Sequence, residues 1–501
     1  MLNKSLYCVL VLLVWQSSSI VRAADLFDVI EFNAPVRLTH PVMALDLLTH
    51  PGKELVTLGV DKQNKRWLHL YQKQAQNNRY QLANSLELPL DLTRFDVSEL
   101  VETHLQSIYF LNERSVFKYN PQQNSLTKLA DVDTLFLGDS PDYISRGEFV
   151  FDINNDGQNE LLLPSFEHIS LISTVGDQQI NVQKIAVKPS VIIDDDDVRF
   201  RPLRPYIVDV NSDGLNDIVF PQSGKLLSFM QQVDNTIQVQ AQIIPLAPDI
   251  AAIEWWHKRD VTGAGLDQAN LTYRRLVKLQ DINSDGVLDM IVKATQSSGV
   301  LERVNDYQVF FGLMDTGQLR FPATPSSLIT AKGTLSGFEL VDINADNKLE
   351  VILSGFDIGL SQIIGALLSG GIDQDVYIFS LNGKRSFAKK PVVSKEVELS
   401  FSLSSGQTGS PVVKLADVNG DKMKDLVLST GSKRLKVYFA TNKGKRRFAK
   451  RSIKFKTELP QDGSVISVSD VNDDDKDDLI LKFGRLDNEA LGQRIKILIS
   501  R

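Results

Sequence analysis

Asp281-Ile282-Asn283-Ser284-Asp285-Gly286-Val287-Leu288-Asp289 is the stretch whose reading decides the fold. It places side-chain oxygens at positions 1, 3, 5 and 9 of a short loop, with glycine at position 6. Alternate residues of a tight loop can aim their oxygens at one centre. A hard cation such as Ca²⁺ takes about six to eight oxygen ligands. Position 7 adds its backbone carbonyl, and the glycine permits the sharp turn through positive φ.

The pattern recurs five times. One copy holds Asp152, Asn154, Asp156 and Glu160, with the carbonyl of Gln158 at position 7. The second holds Asp209, Asn211, Asp213 and Asp217, with Leu215. The third holds Asp342, Asn344, Asp346 and Glu350, with Lys348. The fourth holds Asp417, Asn419, Asp421 and Asp425, with Met423. The fifth holds Asp470, Asn472, Asp474 and Asp478, with Lys476. In the opening copy the carbonyl belongs to Val287. One such loop is weak evidence, because Asp, Asn and Gly populate ordinary turns. Six in one register read as metal loops, and the cofactor expected is Ca²⁺.

An EF-hand loop needs a Glu at position 12 and flanking helices. Position 12 is Leu163, Phe220 and Val292 in the copies that keep the glycine, so that loop is excluded, and dockerin-type loops with it. The flanks are short apolar runs such as 148–151 and 161–164, 206–208 and 218–220, and 276–279 and 290–292, so each loop joins two buried strands. The loops start at 152, 209, 281, 342, 417 and 470, intervals of 57, 72, 61, 75 and 53 residues. That period suits a four-stranded propeller blade with variable connections. Third strands are expected at 225–230, 307–312, 375–380 and 434–440, and a fourth at 446–453 after a hairpin at 441–445.

Residues 25–132 carry two weaker units, and 133–501 the clear ones. In the first, Asp46 and Glu54 keep the spacing of positions 1 and 9, but Leu48 and His50 replace the inner ligands. Its third and fourth strands are expected at 67–71 and 80–88. The second, about 91–132, has no loop acids in register and offers strands at 107–111, 115–119 and 126–130. Counting both gives eight blades; merging the second into its neighbours would give seven. The last unit has strands at 465–468, 479–482 and 494–500 and lacks a fourth, while 27–32 stands alone near the other end. Pairing the two closes the ring and removes two exposed strand edges. The expected fold is an all-β single propeller of four-stranded antiparallel blades spanning 24–501.

These loops, between β-runs at propeller spacing, resemble the FG-GAP/VCBS repeat family of integrin-α-like β-propellers. Gly157, Gly214 and Gly286 match the loop glycine of that family. The resemblance implies Ca²⁺ loops between the first and second strands of each blade. It implies no single activity, since its members range from adhesive ectodomains to lids on enzymes. The chain departs from it at position 6, where Asn347, Lys422 and Asp475 replace glycine; lysine tolerates left-handed φ least.

The other features bound the function. Net charge is −7, which argues against a nucleic-acid partner. Residues 1–23 read as an export signal: Lys4, an apolar run over 6–15, and Val21-Arg22-Ala23 before the cut. That run is too short for a firm membrane span, and the expected location is periplasmic or extracellular. The one cysteine, Cys8, lies within it, so disulfides are not expected. No nucleophile elbow, phosphate loop or HExxH motif occurs, and the six histidines show no zinc spacing. His69 and His168 read as packed strand residues. Two insertions stand out. One, 247–272, holds Trp255, Trp256 and His257. The other, 355–373, is apolar and glycine-rich, and is a contact site or local core. Asp194–Asp197, followed by Arg199, Arg201 and Arg204, reads as a solvated charged loop. The composite reading is a non-catalytic binding, adhesion or assembly module for a protein or glycan ligand. The alternative is a Ca²⁺-dependent polysaccharide lyase with Lys258 or His257 as its base.

Overall fold

The structure is a computed structural model. It describes residues 26–501 apart from 50, 75–78, 102–103, 137–142, 176–178, 195–196, 251–259, 263–270, 299–302, 357–370, 403–406 and 443–445. The export segment, Trp255, Trp256, His257, Lys258 and most of the 355–373 insertion therefore lie outside the described residues.

The second strand of each unit shows why the chain folds as it does. Glu160–Pro164, Asp217–Gln222, Asp425–Ser429 and Asp478–Lys482 are short and almost continuously apolar after their first residue. A strand points successive side chains to opposite faces, so such a strand must be covered on both. In blade four, Ile218 and Phe220 pack toward blade three, and Val219 packs toward blade five. The blades stack face to face, and eight apolar clusters among the described residues fill the eight gaps between neighbours. The cluster between blades eight and one joins Ile480 and Ile497 to Leu55 and Tyr71, so the ring is closed.

Blade one is Met43–Leu45, Glu54–Val60, Arg66–Lys73 and Tyr80–Leu88, with Arg37–Leu38 alongside. Blade two is Arg94–Val97, Ile108–Leu111, Ser115–Asn120 and Ser125–Asp131. The short Ser145–Arg146 lies parallel to its innermost strand. Blades three to seven, whose first strands begin at Val150, Tyr206, Leu271, Thr334 and Val413, follow with antiparallel neighbours in sequence order. Blade eight is Ser467–Ser469, Asp478–Lys482 and Arg494–Ser500, completed by Phe27–Asn33, which pairs in full with Arg494–Ser500. The eight-bladed count and the closing strand are as the sequence predicts.

Three local expectations need correction. The fourth strand of blade seven is Ile453–Lys456, not 446–453. The intervening residues form the connection, anchored by an Ala440–Phe448 bridge. The first strand of blade eight is Ser467–Ser469, not 465–468, because Gly463–Val465 is a 3-10 turn that Asp462 caps by accepting the Ser464 N–H. The acidic run is split by a two-stranded hairpin, Ser190–Asp194 with Asp197–Arg201, in which Asp194 pairs with Asp197; Asp195 and Asp196 lie outside the described residues. No helix among the described residues is long and apolar enough to cross a membrane.

Two histidines are part of the core. His69 is 2% exposed in blade one, and His40 is 5% exposed and stacked 4.5 Å from the Tyr143 ring. Burial pulls both imidazoles down from 6.5 to about 4. The unfolded chain therefore takes up protons first as pH falls below about 6.5. Stability should decline from there to about pH 4 and level off below it, by about 2–3 kcal/mol per histidine. Urea melts of His69→Leu across pH 4–7 should show a shallower loss than wild type; equal slopes would exclude this origin.

Candidate metal centre

Each loop joins the innermost strand of a blade to the second, as the sequence predicts. In all six, two residues adopt left-handed backbone. Position 4 does so at Asn155, Ser212, Ser284, Ala345, Gly420 and Asp473. Position 6 does so at Gly157, Gly214, Gly286, Asn347, Lys422 and Asp475. Lys422 reaches φ 66° despite its Cβ, so the loop geometry overrides the local steric cost at the three non-glycine copies. Position 4 was not anticipated. Its residues (Asn, Ser, Ser, Ala, Gly, Asp) are small, which was the available signal.

The side chains at positions 1, 3 and 5 organise this backbone. In the 281–289 loop, Asp281 accepts the Asp285 N–H at 3.2 Å and the Gly286 N–H at 2.8 Å. Asn283 accepts the Asp285 N–H at 3.0 Å, and Asp285 accepts the Val287 N–H at 3.1 Å. Loops 152–160 and 209–217 repeat the set, adding an Asn-to-Asp side-chain bond from position 3 to position 5. Loop 417–425 does the same. In loops 342–350 and 470–478, Asp342 and Asp470 accept the N–H groups of positions 5 and 6, and Asp346 and Asp474 those of Lys348 and Lys476.

In each loop position 9 is the most buried acid. Glu160, Asp217, Asp289, Glu350, Asp425 and Asp478 each begin the second strand and are buried. One oxygen of each accepts the N–H of position 2: Ile153, Val210, Ile282, Ile343, Val418 and Val471. The sequence reading passed over position 2, although an Ile or Val stands there every time. It is a plug in the inter-blade core, at most 3% exposed in each copy. Burial raises the position-9 acids: Glu160, Asp425 and Asp478 to about 7, and Asp217 and Asp289 to about 6. Nearby loop carboxylates add to the rise, and the N–H donors oppose it. Glu350 is raised for the same first reason. Blade one keeps this anchor without the inner ligands, since buried Glu54 accepts the N–H of Leu47 at 2.8 Å. The anchor therefore has a structural role independent of any ion.

Neighbouring loops are stitched into a rim. Ser212 donates to the Gly286 carbonyl at 2.9 Å, and the Gly52 N–H reaches Asp473 at 2.6 Å. Asp477 takes the Asp417 N–H at 2.8 Å and the Lys424 ammonium at 2.6 Å. Connections between third and fourth strands reach the same rim, as when Arg385 meets Asp285 at 3.4 Å. In an antiparallel blade the remaining connections leave from the opposite end. The described strands that flank both large insertions, and those that flank the 190–201 hairpin, are joined at that opposite end.

The donor set is oxygen throughout, which fits a hard cation in kind. Two position-3 amide oxygens, those of Asn344 and Asn472, are buried and accept no hydrogen bond. Such atoms are costly to desolvate without a partner. Among the described residues, however, no group of three or more His, Cys, Asp or Glu side chains is gathered closely enough to hold a metal ion. The acids are turned onto backbone N–H groups instead.

No protein-family model matches the chain, and no curated protein matches it. Solved structures similar to it are propellers at low identity. A lectin from Agrocybe aegerita, described as recognising non-reducing terminal N-acetylglucosamine, is 14% identical, with 85% of this chain and 94% of that one covered and a TM-score of 0.39. The WD40 domain of SCAP from fission yeast is 11% identical, covering 95% and 94%, with a TM-score of 0.38. The V. cholerae biofilm matrix protein Bap1 is 10% identical, covering 94% and 89%, with a TM-score of 0.34.

Proposed function

We propose that this chain is an exported propeller of the FG-GAP/VCBS type that binds a protein or glycan ligand without catalysis, with Ca²⁺ loops bracing its blades. One observation carries the reading: six loops share one backbone, one oxygen-only donor pattern and one end of a closed ring. Positions 1, 3, 5 and 9 and the carbonyl of position 7 would hold the ion. Ca²⁺ there would neutralise carboxylates that burial otherwise penalises. The export reading rests on residues 1–23. The insertions leave from the end opposite the loops, so a rigid ring would present them while the metal stiffens it from behind. Glycan arrays and pulldowns with the mature chain, run with CaCl₂ and with EDTA, test the reading. A retained ligand that weakens in EDTA is the expected result. Turnover of any polymer, such as an unsaturated uronate product, would favour the lyase alternative and overturn this one.

A further inference from the structure

The loop of blade six differs from those of blades four, five, seven and eight in what lies against its position-9 acid. In blades four, five, seven and eight the second oxygen accepts a backbone N–H from the end of the third strand. Those donors are Gln231 to Asp217 at 2.9 Å, Gly312 to Asp289 at 2.9 Å, Ala440 to Asp425 at 2.7 Å and Ser500 to Asp478 at 2.8 Å. In blade six, Arg447 Nε donates to Glu350 Oε1 at 3.1 Å, with the Glu350 side chain fully buried and Arg447 only 19% exposed. Arg447 comes from blade seven, on the connection between its third and fourth strands. The same connection sends Asn442, whose Oδ1 accepts from Asn344 Nδ2 at 2.7 Å and whose Nδ2 donates to the Asn344 carbonyl at 3.3 Å. Positions 3 and 9 of this loop thus both touch the next blade, through the Asn344 amide nitrogen and backbone carbonyl and the Glu350 carboxylate, while Asn344 Oδ1 accepts no bond.

We infer that Arg447 stands in for the cation here, and that the 342–350 loop is a metal-independent latch between blades six and seven. This rests on the Ca²⁺ reading of the other five loops. A half-buried guanidinium already supplies the positive charge Glu350 needs, in a rigid fork suited to carboxylates. A divalent ion would have to share that carboxylate at close range. The repulsion would weaken its binding on the order of a hundredfold or more at partly buried dielectric. Two other loops also have a cation beside a position-5 acid, in more open or longer pairs. Arg385 is 52% exposed beside Asp285, and Lys476, 26% exposed, stands 3.8 Å from Asp474, itself 33% exposed. Open or long pairs are weak and screened, so they leave those loops open to metal.

The test is ion stoichiometry of the mature chain, stripped of metal and titrated with CaCl₂ to about 1 mM, the range of extracellular modules, by native mass spectrometry and calorimetry. Arg447→Gln should bind one ion more than wild type. Wild type filling every loop, or an unchanged count in the variant, would overturn the inference. Should Arg447→Gln not fold, Glu350→Gln and Asp289→Asn decide it. The first should leave the wild-type count unchanged, and the second should lower it by one. A drop with Glu350→Gln overturns the inference. No ion bound by folded wild type would overturn the Ca²⁺ reading itself, a separate and recognisable failure.

Discussion

Deleting residues 26–33 should abolish the soluble monomer. Phe27–Asn33 is the outer strand of blade eight, yet its side chains reach blades on both sides. Phe27 meets Phe455 of blade seven edge-on at 5.2 Å, and Phe32 lies 5.2 Å from Tyr71 of blade one. Glu31 pairs with the nearly buried Lys496 at 2.8 Å, and Asp28 pairs with Arg501. Losing Phe27 alone should cost about 3–5 kcal/mol, against a total stability of roughly 5–15 kcal/mol. The deletion also uncovers the edge of Arg494–Ser500, an open template for association. A rescue separates ring closure from a general folding defect. Phe27 sits opposite Ser500, so residues 26–33 appended after Arg501 through an Asn-Gly turn would form a tight hairpin in the native register. Chromatography should return the rescued chain to the monomer peak. Soluble, unaltered monomer from the simple deletion would show that closure does not need this strand.

Stripping Ca²⁺ should lower the melting temperature by about 5–10 °C. At a free concentration of about ten times Kd, each filled loop adds about 1.4 kcal/mol. Five filled loops would sum to about 7 kcal/mol, acting against an unfolding entropy of about 1 kcal/mol per degree for a chain this long. Substitutions should separate the ion from the anchor. Asp474→Ala should lose its effect in EDTA. Asp478→Ala should cost about 2–4 kcal/mol with or without metal, because it strands the N–H groups of Val471 and Ser500. Calorimetry in CaCl₂ and EDTA, with metal content verified, reads both. An EDTA melt identical to the Ca²⁺ melt would remove the loops as metal-linked staples.

The repeat was legible because its signal is local. Acids, amide and turn residues within nine positions specify a loop whatever surrounds it, and apolar runs on either side specify buried strands. The closing strand was legible for a related reason: a blade short of one strand and a strand without a blade solve each other. The second blade was weaker on the page. Its innermost strand, Arg94–Val97, has only four residues, and the acids that follow it, Glu99 and Glu102, are out of register with the repeat. Its Asp96 is used instead to accept the N–H groups of Phe149 and Val150.

Residue order by itself therefore determined the all-β class, the blade period, the ring and the six oxygen-bearing loops, since each depends on spacing along a few residues. Tertiary structure alone decided that position 9 is a buried strut and that Lys422 can sit where glycine is expected. It also decided that Arg447, 97 positions from Glu350 in the chain, donates to that acid in the loop of blade six. Those outcomes depend on which blade lies beside which, and on how far water is excluded between them. Neither is written in the spacing of any single repeat.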